Sequence, residues 1–168
     1  GNGSADVELF LKEPPDAVRA KEISKKEEFL QDNLDKGLLE VLEQRDWGND
    51  SLPKIFYGFR IDLRGDGKKD YIIANPVYSG TGGTCYYIIS LIDKKWQIIG
   101  EFQGRFCLLP IKNGWHQIIY WSRGGAENYT KALLEFSDGM YHDKWIERFY
   151  KGKITKEIIE PKDSGNHE

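Results

Sequence analysis

The sequence predicts an α+β domain: a twisted antiparallel β-sheet or small sandwich, built from two related β units and covered by an N-terminal amphipathic helix. Three observations lead to this fold class. Residues 25–45 carry apolar side chains at helical spacing. From residue 54 onward, the apolar residues alternate with polar ones at the period of two that is typical of strands. Two parts of this β region resemble each other at a distance of about 45 residues.

The composition limits the classes of partner. A chain of 168 residues is long enough for one domain with a sizeable core. Its net charge is -3, and its lysines are scattered, so we expect no nucleic-acid partner, since such proteins carry a concentrated basic surface. The sequence has no apolar run near the ~20 residues that a membrane-spanning helix needs.

The polar start of the chain predicts a flexible leader over residues 1–15, ended by Pro14 and Pro15. Such a spacer is typical of exported proteins after a cleavage or lipid-anchor site. We therefore expect a location in the bacterial cell envelope or periplasm, with membrane contact only through a lost N-terminal lipid anchor. A single domain is expected over residues 16–160, followed by a loose tail at residues 161–168.

The helix prediction rests on a start signal and a stripe. Ser24 and Glu27 have the spacing of a capping box, in which each side chain bonds the other residue's backbone N–H. The apolar stripe recurs every three or four residues and comprises Phe29, Leu30, Leu34, Leu38, Val41 and Leu42. These features predict one helix over about residues 25–45 that packs its stripe against the sheet.

The β region, about residues 54–159, begins with an alternating run from Ile55 to Leu63. Gly, Asp, Asn and Lys turns separate the later strand candidates, which favours antiparallel neighbours. These candidates are residues 71–76, 86–92, 96–102, 105–110, 116–121, 129–136, 144–150 and 154–159. The segment from Tyr71 to the Asp93-Lys94 turn parallels the segment from Gln117 to the Asp138-Gly139 turn, which gives the two related units.

A loop rich in carboxylates lies between the first two of these strands. Asp62, Asp66 and Asp70, with Gly67 at the turn, have the spacing at which a flexible loop offers oxygens to Ca²⁺. Arg64 stands at the third position of the loop, where a cation site needs an oxygen. Two interpretations follow: a calcium site formed by the three aspartates, or a turn in which Arg64 pairs with the carboxylates without a metal.

Residues 62–70 and the strand Tyr71-Ile72-Ile73 resemble the strand opener of FG-GAP or VCBS-type repeats and of small exported bacterial proteins of unknown function. The resemblance covers about residues 55–105. It implies a β architecture in which Asp62, Asp66 and Asp70 hold Ca²⁺ between strands. Arg64 departs from the pattern at a ligand position.

Two Gly-rich loops, at equivalent places in the two units, are the predicted binding sites. Loops of small residues and tyrosines give adaptable backbone contacts beside rigid contact area. The first contributes Tyr78, Ser79, Gly80, Thr81, Gly82 and Gly83, and the second Arg123, Gly124, Gly125, Glu127 and Tyr129. We expect both to project from the same end and to frame a cleft. Trp115, which follows Asn113-Gly114, is expected at a loop tip, where its ring could stack on a sugar.

Cys85 and Cys107 could form one disulfide if they lie on neighbouring strands, or they could remain two buried thiols. No residue pattern selects catalytic residues. The sequence therefore favours a noncatalytic binding protein of the bacterial cell envelope that recognises a protein or glycan through the Gly-rich loops. The alternatives are a cell-wall hydrolase with carboxylates in the same cleft and a purely structural module.

Overall fold

The computed structural model describes residues 3–48 and 51–159, with side chains described from residue 7 onward. Its helices are α1 (Gly3–Leu11), α2 (Ala20–Ile23) and α3 (Lys36–Leu42), and a short 3-10 turn spans Gln31–Asn33. Its strands are β1 (Val18–Arg19), β2 (Glu27–Leu30), β3 (Ile55–Ile61), β4 (Asp70–Gly80), β5 (Gly83–Ile92), β6 (Lys95–Gln103), β7 (Arg105–Lys112), β8 (Trp115–Gly125), β9 (Asn128–Ser137), β10 (Met140–Tyr150) and β11 (Lys153–Ile158). No helix in the described part of the chain is long and apolar enough to span a membrane.

The strands form two antiparallel sheets, which confirms the predicted antiparallel β architecture. One sheet has the order β1-β7-β8-β9-β10-β11 and the other the order β2-β3-β4-β5-β6. The five-stranded sheet contains a four-strand meander, β3 to β6, and the six-stranded sheet a five-strand meander, β7 to β11; in each, an N-terminal strand is added at the edge of the first member. The chain crosses from one sheet to the other once between the meanders, at Gly104 between β6 and β7.

The two meanders share their spacing. Adding 45 to the bounds of β4, 70 and 80, gives 115 and 125, the bounds of β8; the same addition converts the bounds of β5 into those of β9. The hairpin turns explain the shared register. Asp93-Lys94 and Asp138-Gly139 have positive φ at both central residues, as tight two-residue turns between twisted strands require.

The sheets face each other across a central core. Successive side chains of a strand point to opposite faces, so every second residue points inward. The inward residues of one sheet, on β3, β4, β5 and β6, meet those of the other, on β7, β8, β9 and β10. The buried members of this cluster include Phe59, Ile72, Ile88, Phe106 and Ile118. Ala20 of α2 also belongs to it, so the N-terminal segment closes one side of the sandwich.

Residues from the N-terminal part of the chain pack against each outer sheet face. On the five-stranded sheet, Leu38 and Leu42 of α3 pack in a cluster with Phe56 and Ile73. On the six-stranded sheet, Phe10 of α1 packs in a second outer cluster and lies 5.6 Å from Phe149 between ring centroids. The result is a two-sheet sandwich with short helical segments packed against its outer faces.

The predicted single helix over residues 25–45 is wrong. Residues 27–30 form β2, which pairs with β3, and α-helix begins only after Asp35, whose carboxylate accepts the N–H of Gly37. The capping-box interpretation fails because Glu27 lies in the strand and binds the guanidinium of Arg60 through two hydrogen bonds of 3.1 Å. Only the second half of the stripe is helical, and its Leu38, Val41 and Leu42 pack in a cluster with residues of the five-stranded sheet.

Within the predicted flexible leader, Phe10 and Leu11 pack against the six-stranded sheet. Phe10 is 2% exposed, and its carbonyl accepts hydrogen bonds from the indole of Trp121 and the ammonium of Lys131. Leu11 in turn accepts a hydrogen bond from Arg105. The predicted loose tail, residues 161–168, lies outside the described residues.

Candidate functional site

The aspartate loop is closed by its first carboxylate. Asp62 accepts hydrogen bonds from the backbone N–H groups of residues 64, 65, 66 and 67 at 2.7 to 3.2 Å. Partial burial acts to raise the pKa of Asp62, but these donors favour the charged form and hold the pKa below its usual value. Both oxygens of Asp62 are therefore engaged in the turn itself.

Asp70 has a different set of partners. It is buried at the start of β4 and accepts hydrogen bonds from the Ser90 hydroxyl and, at 3.0 Å, from the backbone N–H of Leu63. Burial raises the pKa of this carboxyl, against the opposing effect of those bonds and of the Arg64 charge. Asp62, Asp66 and Asp70 do not converge: the described residues contain no group of three or more acidic, His or Cys side chains arranged to hold a metal.

Arg64 crosses from the loop to both sheets. Its guanidinium donates to the carbonyl of Leu91 at 3.0 Å and to the hydroxyl of Ser90 at 3.3 Å, and it lies 3.6 Å from the carboxylate of Asp66. It also lies over the ring of Trp115, 4.8 Å from its centroid. A positive charge from the chain itself thus lies beside one loop carboxylate, that of Asp66, and bonds the neighbouring strand β5.

The prediction that Trp115 lies at an exposed loop tip is wrong. Its side chain is 7% exposed, at the start of β8, and stacks on Phe136 with ring centroids 4.0 Å apart. The Asn113-Gly114 turn ends before it, so the indole points into the core between the sheets. Trp115 helps to anchor the aspartate loop and presents almost no surface to a ligand.

The first Gly-rich loop is the turn of the β4–β5 hairpin, next to an irregularity in β4 between Asn75 and Gly80. The Ser79 hydroxyl donates a hydrogen bond to the carbonyl of Asn75 and accepts one from the N–H of Cys85, so both of these bonds go to backbone groups. Tyr78 is half exposed and donates from its hydroxyl to Asp46 at 2.9 Å. The exposed positions at the tip are Gly80 and Thr81.

The second Gly-rich loop is the turn of the β8–β9 hairpin. Arg123 is exposed, bonds the carbonyl of Gly125 at 3.2 Å and lies over the ring of Tyr129, 5.8 Å from its centroid. Glu127 is exposed in a left-handed backbone conformation at φ 57°, and its carbonyl accepts the N–H of Lys151. Gly124 lies beside the Asn128 side chain.

Both hairpins turn at the same end of the sandwich, which is also where β6 ends and β7 begins. We call this the crossover end. Gly104 packs here against the backbones of Gly83 and of Trp121, closely enough that a side chain at Gly104 would collide with the Trp121 carbonyl. The Gly104 N–H donates to the carbonyl of Thr84. The crossover therefore joins the two hairpins through close backbone contact.

A cleft of about 800 Å³ opens beside the crossover, between the N-terminal segment and the inner edges of the two sheets. We call it the crossover cleft. Its rim is charged, and Phe59, Tyr86 and Phe106 beneath it are buried in the core between the sheets. It is lined by Leu11, Lys12, Glu13, Arg19, Ala20, Lys21, Phe59, Tyr86, Arg105 and Phe106.

Glu13 holds two arginines at the rim of this cleft. Its carboxylate accepts hydrogen bonds from Arg19 at 3.0 Å and from Arg105 at 2.9 Å. Burial acts to raise the pKa of Glu13, but the Arg19 hydrogen bond and the two positive charges outweigh it and keep the pKa below its usual value. The Trp121 ring packs against the guanidinium of Arg105, with the ring centroid 4.0 Å from the guanidinium carbon.

Sequence reasoning missed the crossover cleft because its residues come from five separate segments of the chain. Arg19 and Arg105 are brought together by the pairing of β1 with β7 and by their shared partner Glu13. The local sequence around Arg19 contains no motif for such a site.

The two cysteines are free and lie in different sheets, Cys85 on β5 and Cys107 on β7. Burial raises the pKa of the Cys107 thiol to about 11, and the nearby Glu13 charge adds to the effect. Such a thiol is a poor nucleophile.

Comparisons with known proteins show no relationship: no protein-family model, curated protein or solved structure matches this chain.

Proposed function

We propose that this chain is a noncatalytic binding protein of the bacterial cell envelope that recognises a protein or glycan at its crossover end. One observation carries the proposal. Both Gly-rich hairpins and the crossover cleft lie at the same end of the sandwich, next to the backbone junction at Gly104. Binding sites are commonly built from loops that a rigid scaffold holds together.

The shape and stiffness of the crossover end support this proposal. A volume of about 800 Å³ is within the range of clefts that take small ligands or a segment of a larger one. The close packing of Gly83 on Gly104, and the hydrogen bonds of Gln103 to the carbonyls of Tyr78 and Gly83, hold the first hairpin in place. A preorganised loop loses little conformational entropy when it binds.

The chemistry of Glu13 favours binding over hydrolysis at this cleft. A glycoside hydrolase uses two carboxyl groups, one of which has a raised pKa and donates a proton. Glu13 is the acidic side chain that lines the crossover cleft, and its pKa is lowered by two arginines. It is suited to holding those guanidinium groups in a fixed arrangement.

At the opposite end, we propose that the Arg64 guanidinium takes the place of a loop cation, as the second of the two sequence interpretations holds. The proposal is supported by its bonds to Leu91 and Ser90 and its distance from Asp66. We further infer that the two meanders are related units in the manner of FG-GAP or VCBS-type repeats. The shared spacing of β4 and β5 with β8 and β9 supports that inference.

Blocking the two hairpin tips tests the proposed function. Thr81 and Ala126 are exposed, so a Thr81→Arg/Ala126→Arg variant adds bulk and charge without disturbing the core. The matched control is Ser137→Arg/Met140→Arg, which adds the same groups to exposed positions at the opposite end. Partners captured from envelope extract are identified by mass spectrometry, purified, and titrated into each variant by calorimetry.

We expect the purified partner to bind the wild type and the control pair alike, and the tip pair at least about tenfold more weakly. If the partner binds the wild type, the control pair and the tip pair with equal affinity, the proposal that it binds at the crossover end is contradicted. Purified peptidoglycan incubated with the wild type should release no soluble fragments, and measurable release would favour the hydrolase alternative.

A further inference from the structure

The strand β11 forms one edge of the six-stranded sheet and is exposed along its whole length. It pairs with β10 on one side, and no other strand in the described part of the chain pairs with it. Three apolar side chains of this edge, Tyr150, Ile154 and Ile158, are each more than half exposed. An exposed edge strand with apolar side chains is a template for pairing with another chain.

The backbone of β11 offers hydrogen-bonding groups on its outer side. The N–H of Ile159, just after β11, donates to the carbonyl of Lys144 just before the paired part of β10. In an antiparallel pair, only every second residue of a strand bonds the neighbouring strand, so the odd-numbered residues of β11 bond β10. The N–H and C=O groups of Ile154, Lys156 and Ile158 therefore point away from β10.

The sequence of β11 is complementary to itself when two copies run antiparallel. If Thr155 lies opposite its counterpart, Lys153 of each copy lies opposite Glu157 of the other copy. These three residues share one sheet face, because they alternate along the strand. Cross-strand pairs of opposite charge and Thr–Thr pairs stabilise a sheet. Centring the pairing on Lys156 would instead place two lysines opposite each other, which is unfavourable.

The charged groups around β11 leave this pairing open. Lys156 points to the other sheet face, where its ammonium lies 4.7 Å from the ring centroid of Trp145 on β10, so it is directed toward its own sheet. Glu157 accepts a hydrogen bond from Arg148 at 3.1 Å through one carboxylate oxygen. A carboxylate has a second oxygen that can accept from Lys153 of another copy.

We propose that two copies of this chain pair through β11, as antiparallel edge strands related by a twofold axis. Ile154 of each copy exchanges backbone hydrogen bonds with Lys156 of the other, and Thr155 meets its counterpart. The two six-stranded sheets then form one continuous sheet. Edge pairing of this kind buries a small interface, so the dimer is weak and reversible. The proposal goes beyond the proposed function, since β11 contains neither hairpin-tip nor cleft residues.

Charge reversal tests the partner and the register together. Lys153→Glu and Glu157→Lys each place like charges opposite one another at both ends of the pairing, whereas the double variant Lys153→Glu/Glu157→Lys restores opposite charges with the net charge of the wild type. Lys69→Glu, in the aspartate loop, is the control, since it changes the net charge as Lys153→Glu does at another exposed position. Sedimentation equilibrium at several concentrations measures the dimer dissociation constant of each protein.

We expect the wild type, the Lys69→Glu control and the double variant to dimerise alike. Each single variant at β11 should dimerise about tenfold more weakly. An equimolar mixture of the two single variants should associate as the wild type does, because each supplies the charges that the other needs. A wild type that remains monomeric would overturn the proposal, as would single variants that dimerise like the wild type. An equal loss in Lys69→Glu would show a general charge effect, and a double variant that stays weak would overturn the register.

Amide hydrogen exchange locates the interface independently of the charges. The amides of Ile154 and Lys156 should exchange more slowly at concentrations at which the wild type is dimeric, and that of Gly139, in the exposed β9–β10 turn, should not change. A dimer that forms without protection at β11 would show that the interface lies elsewhere. That result would leave the proposed function standing, because the latter depends on Thr81 and Ala126.

Discussion

Replacing Arg64 tests whether this side chain supplies the charge that holds the aspartate loop. In Arg64→Ala, the fold loses the hydrogen bonds to Leu91 and Ser90 and the contact with the Trp115 ring. A hydrogen bond to a charged group contributes ~1.5–3 kcal/mol, and a cation–π contact ~0.5–1 kcal/mol at an exposed site. The side chain is 27% exposed, which favours the lower part of these ranges.

We therefore expect Arg64→Ala to lower the free energy of unfolding by about 2 kcal/mol, measured by urea denaturation at pH 7. For a chain of this size, that corresponds to a fall of about 4–8 °C in the melting temperature. Arg60→Ala is the control, since it removes a bidentate Arg–Glu27 pair whose arginine side chain is 44% exposed. Such surface pairs contribute at most ~1 kcal/mol. If Arg64→Ala costs no more than Arg60→Ala, the argument for Arg64 is refuted.

Adding Ca²⁺ to the unfolding experiment tests whether the loop can hold a metal once Arg64 is replaced. Arg64→Asp places a carboxylate at the third loop position, beside Asp66, and removes the internal cation. We expect millimolar Ca²⁺ to raise the unfolding midpoint of Arg64→Asp and to leave that of the wild type unchanged, because a ligand stabilises only a state that binds it. A Ca²⁺-dependent rise in the wild type would instead support a calcium site with Arg64 in place.

Three further predictions concern other parts of the molecule. Asp62→Asn should destabilise the fold at pH 7, because the charged form of Asp62 stabilises the native state. The difference in unfolding free energy between wild type and variant should shrink as the pH falls through the lowered pKa of Asp62. Urea denaturation from pH 7 down to pH 3 measures this difference, and a pH-independent value would contradict the prediction. Phe10→Ala should cost about 3 kcal/mol, because Phe10 is 2% exposed and packs on Phe149; a loss below ~0.5 kcal/mol in the same assay would show that α1 does not cover the sheet. Cys107 should resist alkylation by iodoacetamide at pH 8 in the native protein, given its burial and its pKa of about 11. Mass spectrometry locates the label. If Cys107 reacts as fast in the native protein as in the urea-unfolded protein, the described packing is contradicted.

The β region could be predicted from sequence because its signals are local. Alternation of apolar residues and turns such as Asp93-Lys94 and Asp138-Gly139 specify strands and hairpins within a few residues, and the structure has strands in those places. The N-terminal part could not be predicted in the same way. The stripe from Phe29 to Leu42 satisfies helical spacing, but Phe29 finds more buried contact as part of a strand beside β3. Tertiary packing overrides local propensity there.

In the candidate site, too, the local features could be predicted from the sequence and the features that depend on tertiary packing could not. The Gly-rich turns are visible in the sequence, and they lie at one end of the fold as expected. The burial of Trp115 depends on Phe136, and the use of the Ser79 hydroxyl depends on an irregularity in β4, neither of which has a local signature. The crossover cleft depends on residues as distant as Glu13 and Arg105, which only the topology brings together.

The N-terminal segment has a consequence for synthesis of the protein on the ribosome. Val18 of β1 pairs with Leu108, and Phe10 of α1 packs on Phe149, so these early residues find those partners only after β7 and β10 have been made. Each meander contains mainly short-range hairpins and can form as it emerges, whereas the early segment must wait for most of the chain. During that interval the part of the outer face of the six-stranded sheet that packs against Phe10 is uncovered. A chaperone that shields the nascent N-terminal segment should therefore raise the yield of native protein more than one that acts after release.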